Sequence, residues 1–129
     1  MNNKKIFIGI VGSRGFEDYE KLKNTIDQYV SNHLKNGGII IVSSGSAIRA
    51  DKLADRYAEE RGLSIIFHKP DWKKYGKDAT LKRNELIVRD SDIVFVCWKR
   101  NARGSKHTID LCKKMNKHVE IIGDNQERK

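Results

Sequence analysis

Proline is almost missing from this chain of 129 residues, which has one, at Pro70, and cysteine is scarce, at Cys97 and Cys112. With an apolar fraction of 38%, so little proline argues against both disorder and a collagen-like repeat. Two cysteines are too few for a disulfide framework. Cys97 falls in an apolar strand-like run and Cys112 in a helical pattern, so both are expected as buried thiols in a reducing compartment. No apolar run approaches the roughly 18 residues of a membrane span. The stretch Ile6 to Gly12 behind the start MNNKK is too short for a signal segment with a cleavage site. The expectation is a soluble cytoplasmic protein with no membrane partner.

Acidic side chains are also in deficit. Lys and Arg number 26 against 17 Asp and Glu, a net charge of +9 with a pI near 9.6. That balance favours anionic partners without distinguishing nucleic acid, nucleotides or an acidic protein, and a basic surface that only aids solubility stays open beside them.

What is present is an alternation of short apolar runs with amphipathic stretches, the pattern of a parallel sheet covered by helices. Strands are expected at residues 6–11, 39–42, 63–67, 93–98 and 119–122. The first run is apolar throughout, as a strand buried on both faces should be. A helix is predicted over 19–35, with Leu22, Ile26, Tyr29, Val30 and Leu34 on its apolar stripe. Asp18 is its expected N-cap, and Asn36-Gly37-Gly38 its stop. Further helices are predicted over about 48–61 (Leu53, Ala54, Tyr57 and Ala58 inward), from Asp78 or Thr80 to about 89 (Leu81, Leu86 and Ile87 inward) and over about 105–115. Residues 68–77 read as the longest irregular piece, a length more often functional than idle, and the tail from Asp124 as polar. With no repeat or linker, the whole of 1–129 is expected as one α/β domain, a Rossmann-like three-layer sandwich of about five parallel strands joined by right-handed crossovers.

Open sheets of this kind bind ligands beyond the carboxyl ends of their strands, where strand order reverses. Three turns lie there: residues 12–16, 43–49 and 98–107. Each combines glycine, hydroxyl side chains and a cation ahead of a helix, whose free N–H groups and dipole attract anions. One helix end contributes only about 0.3–1 kcal/mol to an exposed anion, so converging turns are required. Neither G-x-G-x-x-G nor the P-loop pattern occurs, and no cofactor is expected. His33, His68 and His118 show no metal-ligand spacing, so no metal is expected either.

Several stretches occur together in order: Val11-Gly12-Ser13-Arg14, Ser44-Gly45-Ser46-Ala47, Ala50-Asp51-Lys52-Leu53-Ala54, the run from Asp71 to Lys77, Arg83-Asn84, and Arg103-Gly104-Ser105-Lys106-His107. Over nearly the whole chain this set resembles the SLOG superfamily, in its small YspA/YpsA-like branch, which is related to the Lonely Guy phosphoribohydrolases and the DNA-processing protein DprA. The resemblance implies a Rossmann-like fold that binds nucleotides or NAD-derived molecules, commonly as a homo-oligomer. The expected binding set is Gly12, Ser13, Arg14, Ser44, Gly45, Ser46, Arg49, Asp51, Arg83, Asn84, Trp98, Arg103, Gly104, Ser105, Lys106 and His107. Trp72 and Tyr75 are candidates to stack on a base or ribose, with packing inside their loop as the alternative.

Two departures from the family pattern stand out. Its second loop reads S-G-G-A-R-G-A-D, whereas this chain has Ser46, Ile48 and Arg49 at the second glycine, the arginine and the next glycine. The catalytic glutamate of the Lonely Guy pattern G-G-x-G-T-x-x-E falls at Thr108, which cannot ionise. Arg83 matches the upstream catalytic arginine, and Glu85 is the nearest substitute carboxylate, with Glu17, Asp71 and Asp110 further candidates. The leading expectation is therefore capture of a nucleotide-derived small molecule such as ADP-ribose, cyclic ADP-ribose or another NAD derivative. An N-glycosidic nucleotide hydrolase using Arg83 and Glu85 ranks second. Single-stranded nucleic-acid binding ranks third, because no aromatic stripe interleaved with basic residues is evident.

Overall fold

In the computed structural model, which describes residues 5–12, 16, 18–44, 50–98 and 103–123, strand and helix alternate. The elements are β1 (Lys5–Gly12), α1 (Tyr19–Lys35), β2 (Ile39–Ser44), α2 (Ala50–Arg61), β3 (Ser64–Phe67), a single turn α3 (Trp72–Tyr75) running into a 3-10 turn (Gly76–Asp78), α4 (Ala79–Asp90), β4 (Ile93–Trp98), α5 (Arg103–Lys114) and β5 (His118–Gly123). The five strands form one sheet in the order β3-β2-β1-β4-β5, and every pairing is parallel. This is the α/β Rossmann-like arrangement expected from the alternation. The chain steps outward from β1 to β3, then returns to lay β4 on the other side of β1, so strand order reverses between β1 and β4.

Each face of the sheet carries its own core. Ile8, Ile10, Ile40, Val42, Phe95, Cys97 and Ile122 meet Leu22, Ile26 and Val30 of α1 and Ala54, Tyr57 and Ala58 of α2. On the opposite face Val11, Val94 and Val96 meet Ile87 and Val88 of α4 and Ile109 and Cys112 of α5. Strand neighbours alternate between the two sets because successive side chains point to opposite faces. Each such aliphatic chain contributes roughly 1.5–3 kcal/mol by leaving water. At Gly9 the second layer comes so close that an added Cβ would lie 2.6 Å from Ser91 Oγ and 2.8 Å from Ile87 Cγ2. Asp92 fastens the same end, accepting from Phe7 N at 2.9 Å while its own N–H donates to Phe7 O at 2.7 Å.

Asp18 caps α1 as expected, accepting from Lys21 N at 3.2 Å, and Gly37 takes φ +81° in the stop. Two apolar positions differ from expectation. Tyr29 is 43% exposed, and its ring lies against the edges of Phe95 and His118 rather than in the core stripe. Leu86 is 38% exposed, because the inward side of α4 is set by Ala79, Arg83, Asn84, Ile87 and Val88. The expected irregular stretch 68–77 also contains α3, and α5 already includes Arg103, Gly104 and Ser105, which the sequence suggested ended a loop or opened the helix later.

A polar clasp joins α1 to α2. Tyr57 Oη donates to Asp27 Oδ1 at 2.7 Å, and Arg61 donates to both carboxylate oxygens. Beside it Tyr19 Oη donates to Glu60 at 2.7 Å, and the Arg56 guanidinium lies 3.9 Å over the Tyr19 ring. The Arg61 hydrogen bonds, helped by Tyr57, hold the Asp27 carboxyl below its ordinary value, while burial pushes the Tyr57 hydroxyl well above its own. A depressed carboxylate adds stability above its unfolded pKa, which is lost as pH falls through the lower folded value. Asp27→Asn is expected to cost about 1–2 kcal/mol at neutral pH, after discounting for partial exposure. Urea denaturation of both proteins checks this, and the gap should close in acid below the ordinary aspartate range; a gap that persists there unchanged removes the ion-pair explanation.

Candidate functional site

The parallel register brings the carboxyl ends of β2, β1 and β4 side by side, with Ser44 opposite Ile10 and Gly12 opposite Cys97. The three glycine-and-serine turns therefore leave from neighbouring strands along one rim, spanning the β1/β4 reversal. Ser13, Arg14, Gly45, Ser46 and Arg49 lie outside the described residues. Gly12 ends β1, Asp51 stands in the first turn of α2, and Arg103, Gly104 and Ser105 form the start of α5.

Behind the rim, α4 and α5 share a buried polar contact. Arg83 and Asn84 are buried on the inward side of α4, and Thr108 is fully buried on α5. Arg83 Nε donates to Asn84 Oδ1 at 2.7 Å, and Asn84 Nδ2 donates to Thr108 Oγ1 at 3.4 Å, a long bond. Thr108 thus receives a hydrogen bond where the Lonely Guy pattern places its carboxylate. Glu85 follows Asn84 but is only partly buried, off the side that carries Arg83, Asn84, Ile87 and Val88. His107, in the early part of α5, keeps a buried Nε2 with no hydrogen-bond partner among the described residues.

Other expected site residues are placed differently. Trp98 packs against the core cluster shared by α4 and α5. Lys106 is exposed and pairs with Asp110 at 3.1 Å, a helical i,i+4 contact worth a few tenths of a kcal/mol. Ser44 is buried, as is Ser43, whose Oγ has no hydrogen-bond partner among the described residues. No group of three or more His, Cys, Asp or Glu among the described residues is placed to hold a metal ion. No described helix is long and apolar enough to cross a membrane.

The sequence reading missed the organisation of the β3–β4 crossover. Asp71 Oδ1 accepts from Lys74 N at 3.1 Å and Asp71 O accepts from Tyr75 N, which nucleates α3. Gly76, at φ +56°, ends that turn. An aspartate cap followed by a glycine stop is a helix signature, but the segment was too short for apolar periodicity to reveal it. All side chains from 71 to 78 are exposed, as are Lys69 and Lys82. Trp72 is 57% and Tyr75 37% exposed. Lys74 Nζ lies 5.2 Å and Lys82 Nζ 5.7 Å from the Tyr75 ring centre, within cation–π range. Aromatic and basic side chains are interleaved here after all.

Comparison with known proteins agrees with the resemblance read from the motifs. The model of the YspA, cpYpsA-related SLOG family matches residues 8–75. "Gene 61 protein" of Mycobacterium phage D29 is 28% identical over 123 residues, spanning 89% of this chain and 94% of that protein. Among solved structures, DNA processing protein A from Helicobacter pylori, which binds single-stranded DNA, superposes with a TM-score of 0.65 at 21% identity. The match covers 90% of this chain and 64% of that one, so this chain spans less than two-thirds of its neighbour. A predicted tRNA methyltransferase subunit from Methanocaldococcus jannaschii matches more weakly, with a TM-score of 0.48 at 14% identity, covering 90% of this chain and 68% of the other.

These findings correct the leading expectation of an ADP-ribose-like or other NAD-derived ligand. The neighbour with the shared fold takes single-stranded DNA. The geometry gives a physical reason. Trp98 is partly buried against the second core cluster and Lys106 pairs with Asp110, while exposed cations and rings gather on the surface of the β3–β4 crossover.

Proposed function

The chain belongs to the YspA, cpYpsA-related SLOG family, and from that premise we propose that it binds single-stranded nucleic acid along its basic surface. The observation that carries the reading is the crossover from Lys69 to Lys82. It presents five exposed lysines, at 69, 73, 74, 77 and 82, against two aspartates, one of which caps α3. No ion pair with a described carboxylate occupies these lysines. A polyanion that neutralises such a row releases its condensed counterions, an entropic gain that a mononucleotide cannot match. The single-stranded DNA bound by the Helicobacter neighbour, on the same fold, supports the choice of ligand.

In this proposal the rim is a second contact area. The turn positions Gly12, Ser13, Arg14, Gly45, Ser46 and Arg49 would meet phosphates, with Arg83, Asn84 and His107 behind them, near the amino end of α5. Glu85 and Thr108 have no catalytic part in it. The chain is taken as one cytoplasmic domain, with Cys97 and Cys112 as buried thiols.

Polarisation of a labelled oligothymidylate across a salt series tests the function. If the five lysines each meet a phosphate, the log–log slope is about −3.5, and affinity falls roughly 100-fold between about 50 and 200 mM salt. Absence of oligonucleotide binding at low salt, or a slope near zero, defeats the reading.

A further inference from the structure

The crossover also has a feature that charge does not require: an open indole. A surface tryptophan forgoes the stabilisation that burial of so large an apolar group brings. Trp72 is nonetheless 57% exposed, and among the described residues no ring or ammonium covers it. Tyr75 lies three positions later, on the same side of the turn, with its ring attended by the Lys74 and Lys82 ammoniums. Lys73 lies between the two rings in sequence, and Lys77 follows two positions after Tyr75. The two rings thus differ in state, one occupied by cations and the other bare.

The geometry points to Trp72 as a stacking surface for one unpaired base, with Lys73, Lys74 and Lys77 on the adjoining phosphates. The inference rests on the nucleic-acid reading and deepens it, because it says why a strand with free bases is selected. In a duplex each base face is already covered by its neighbours, so an indole on a protruding turn finds nothing to stack on. Stacking is also indifferent to base identity, since every base offers a π face. An anionic lipid surface would also attract lysines and tryptophan. A four-residue helix with one other apolar ring, Tyr75, lacks the broad apolar face by which interfacial helices bury themselves. Charge complementarity and the bare ring favour the nucleic acid.

The test uses the full chain with oligothymidylate, oligouridylate, a short duplex and anionic phospholipid vesicles. Tryptophan emission and polarisation are followed together. Either single strand should quench the emission of the parent protein, and Trp72→Phe should abolish the quenching while retaining most of the affinity, because phenylalanine still stacks. Trp72→Ala should weaken single-strand binding by about 5- to 100-fold, leaving duplex binding and the salt slope unchanged. Since Trp72 supports no core contact, the thermal midpoint should not move. A Trp72→Ala protein that binds single strands as the parent does overturns the stacking role and leaves the nucleic-acid reading standing. Failure of the parent to bind either strand overturns both, as does a response confined to vesicles.

Discussion

A protein carrying Lys73→Ala, Lys74→Ala and Lys77→Ala is expected to bind oligothymidylate roughly 500-fold more weakly than the parent at about 50 mM salt. At about 200 mM the deficit should shrink to about 30-fold. Both figures follow from one quantity. Each lysine on a single-strand phosphate contributes about 0.7 to the slope of log affinity against log salt, so losing three removes about 2.1. The advantage they confer is therefore largest where counterions are most dilute. All three side chains are exposed, and their one described side-chain contact is that of Lys74 with the Tyr75 ring, so folding should be unaffected. Parallel isotherms at the two salt concentrations decide the matter. A deficit equal at both, or one below about threefold, separates these lysines from the ligand.

The second large effect concerns the scaffold. Gly9→Ala should destabilise the protein by about 3 kcal/mol, toward the upper end of what overpacking costs, and lower the thermal midpoint by on the order of 10 °C. The new methyl would fall 2.6 Å from Ser91 Oγ and 2.8 Å from Ile87 Cγ2. Neither neighbour yields easily. Ser91 Oγ donates to Ile87 O at 2.6 Å at the end of α4, and Ile87 is locked in the second core cluster. Adding Ser91→Ala removes the nearer clash, so the double variant should recover part of the loss while the Ile87 contact keeps it below the parent. A Gly9→Ala protein that melts with the parent contradicts the close approach of α4 to β1.

Much of the fold was legible because its signals are periodic. The apolar runs at β1 and β4 and the stripe of Leu22, Ile26 and Val30 each follow from burial on known faces, and the Asp18 cap and Gly37 stop mark the ends of α1. Tyr29 and Leu86 were misjudged because periodicity assigns a residue to a face without saying how wide the covering layer is. The rim was foreseeable from topology alone, since glycine-and-serine turns after β1, β2 and β4 must share an edge once those strands are neighbours. The crossover was harder. Its meaning depends on which side of a single helical turn Trp72 and Tyr75 occupy and whether anything covers them, and no sequence pattern reports that. Ranking nucleic acid last for want of interleaved aromatic and basic residues overlooked the stretch where Trp72, Lys73, Lys74 and Tyr75 are consecutive.

The exposure of every side chain between Trp72 and Asp78 has one more consequence. The segment is tied down by its backbone, through the Asp71 cap and Gly76, and its side chains support little of what lies beneath. Side chains on this turn can therefore be exchanged while the architecture below registers almost nothing. A designer seeking new specificity would begin with the exposed side chains around Asp71 and Gly76, leaving those two in place.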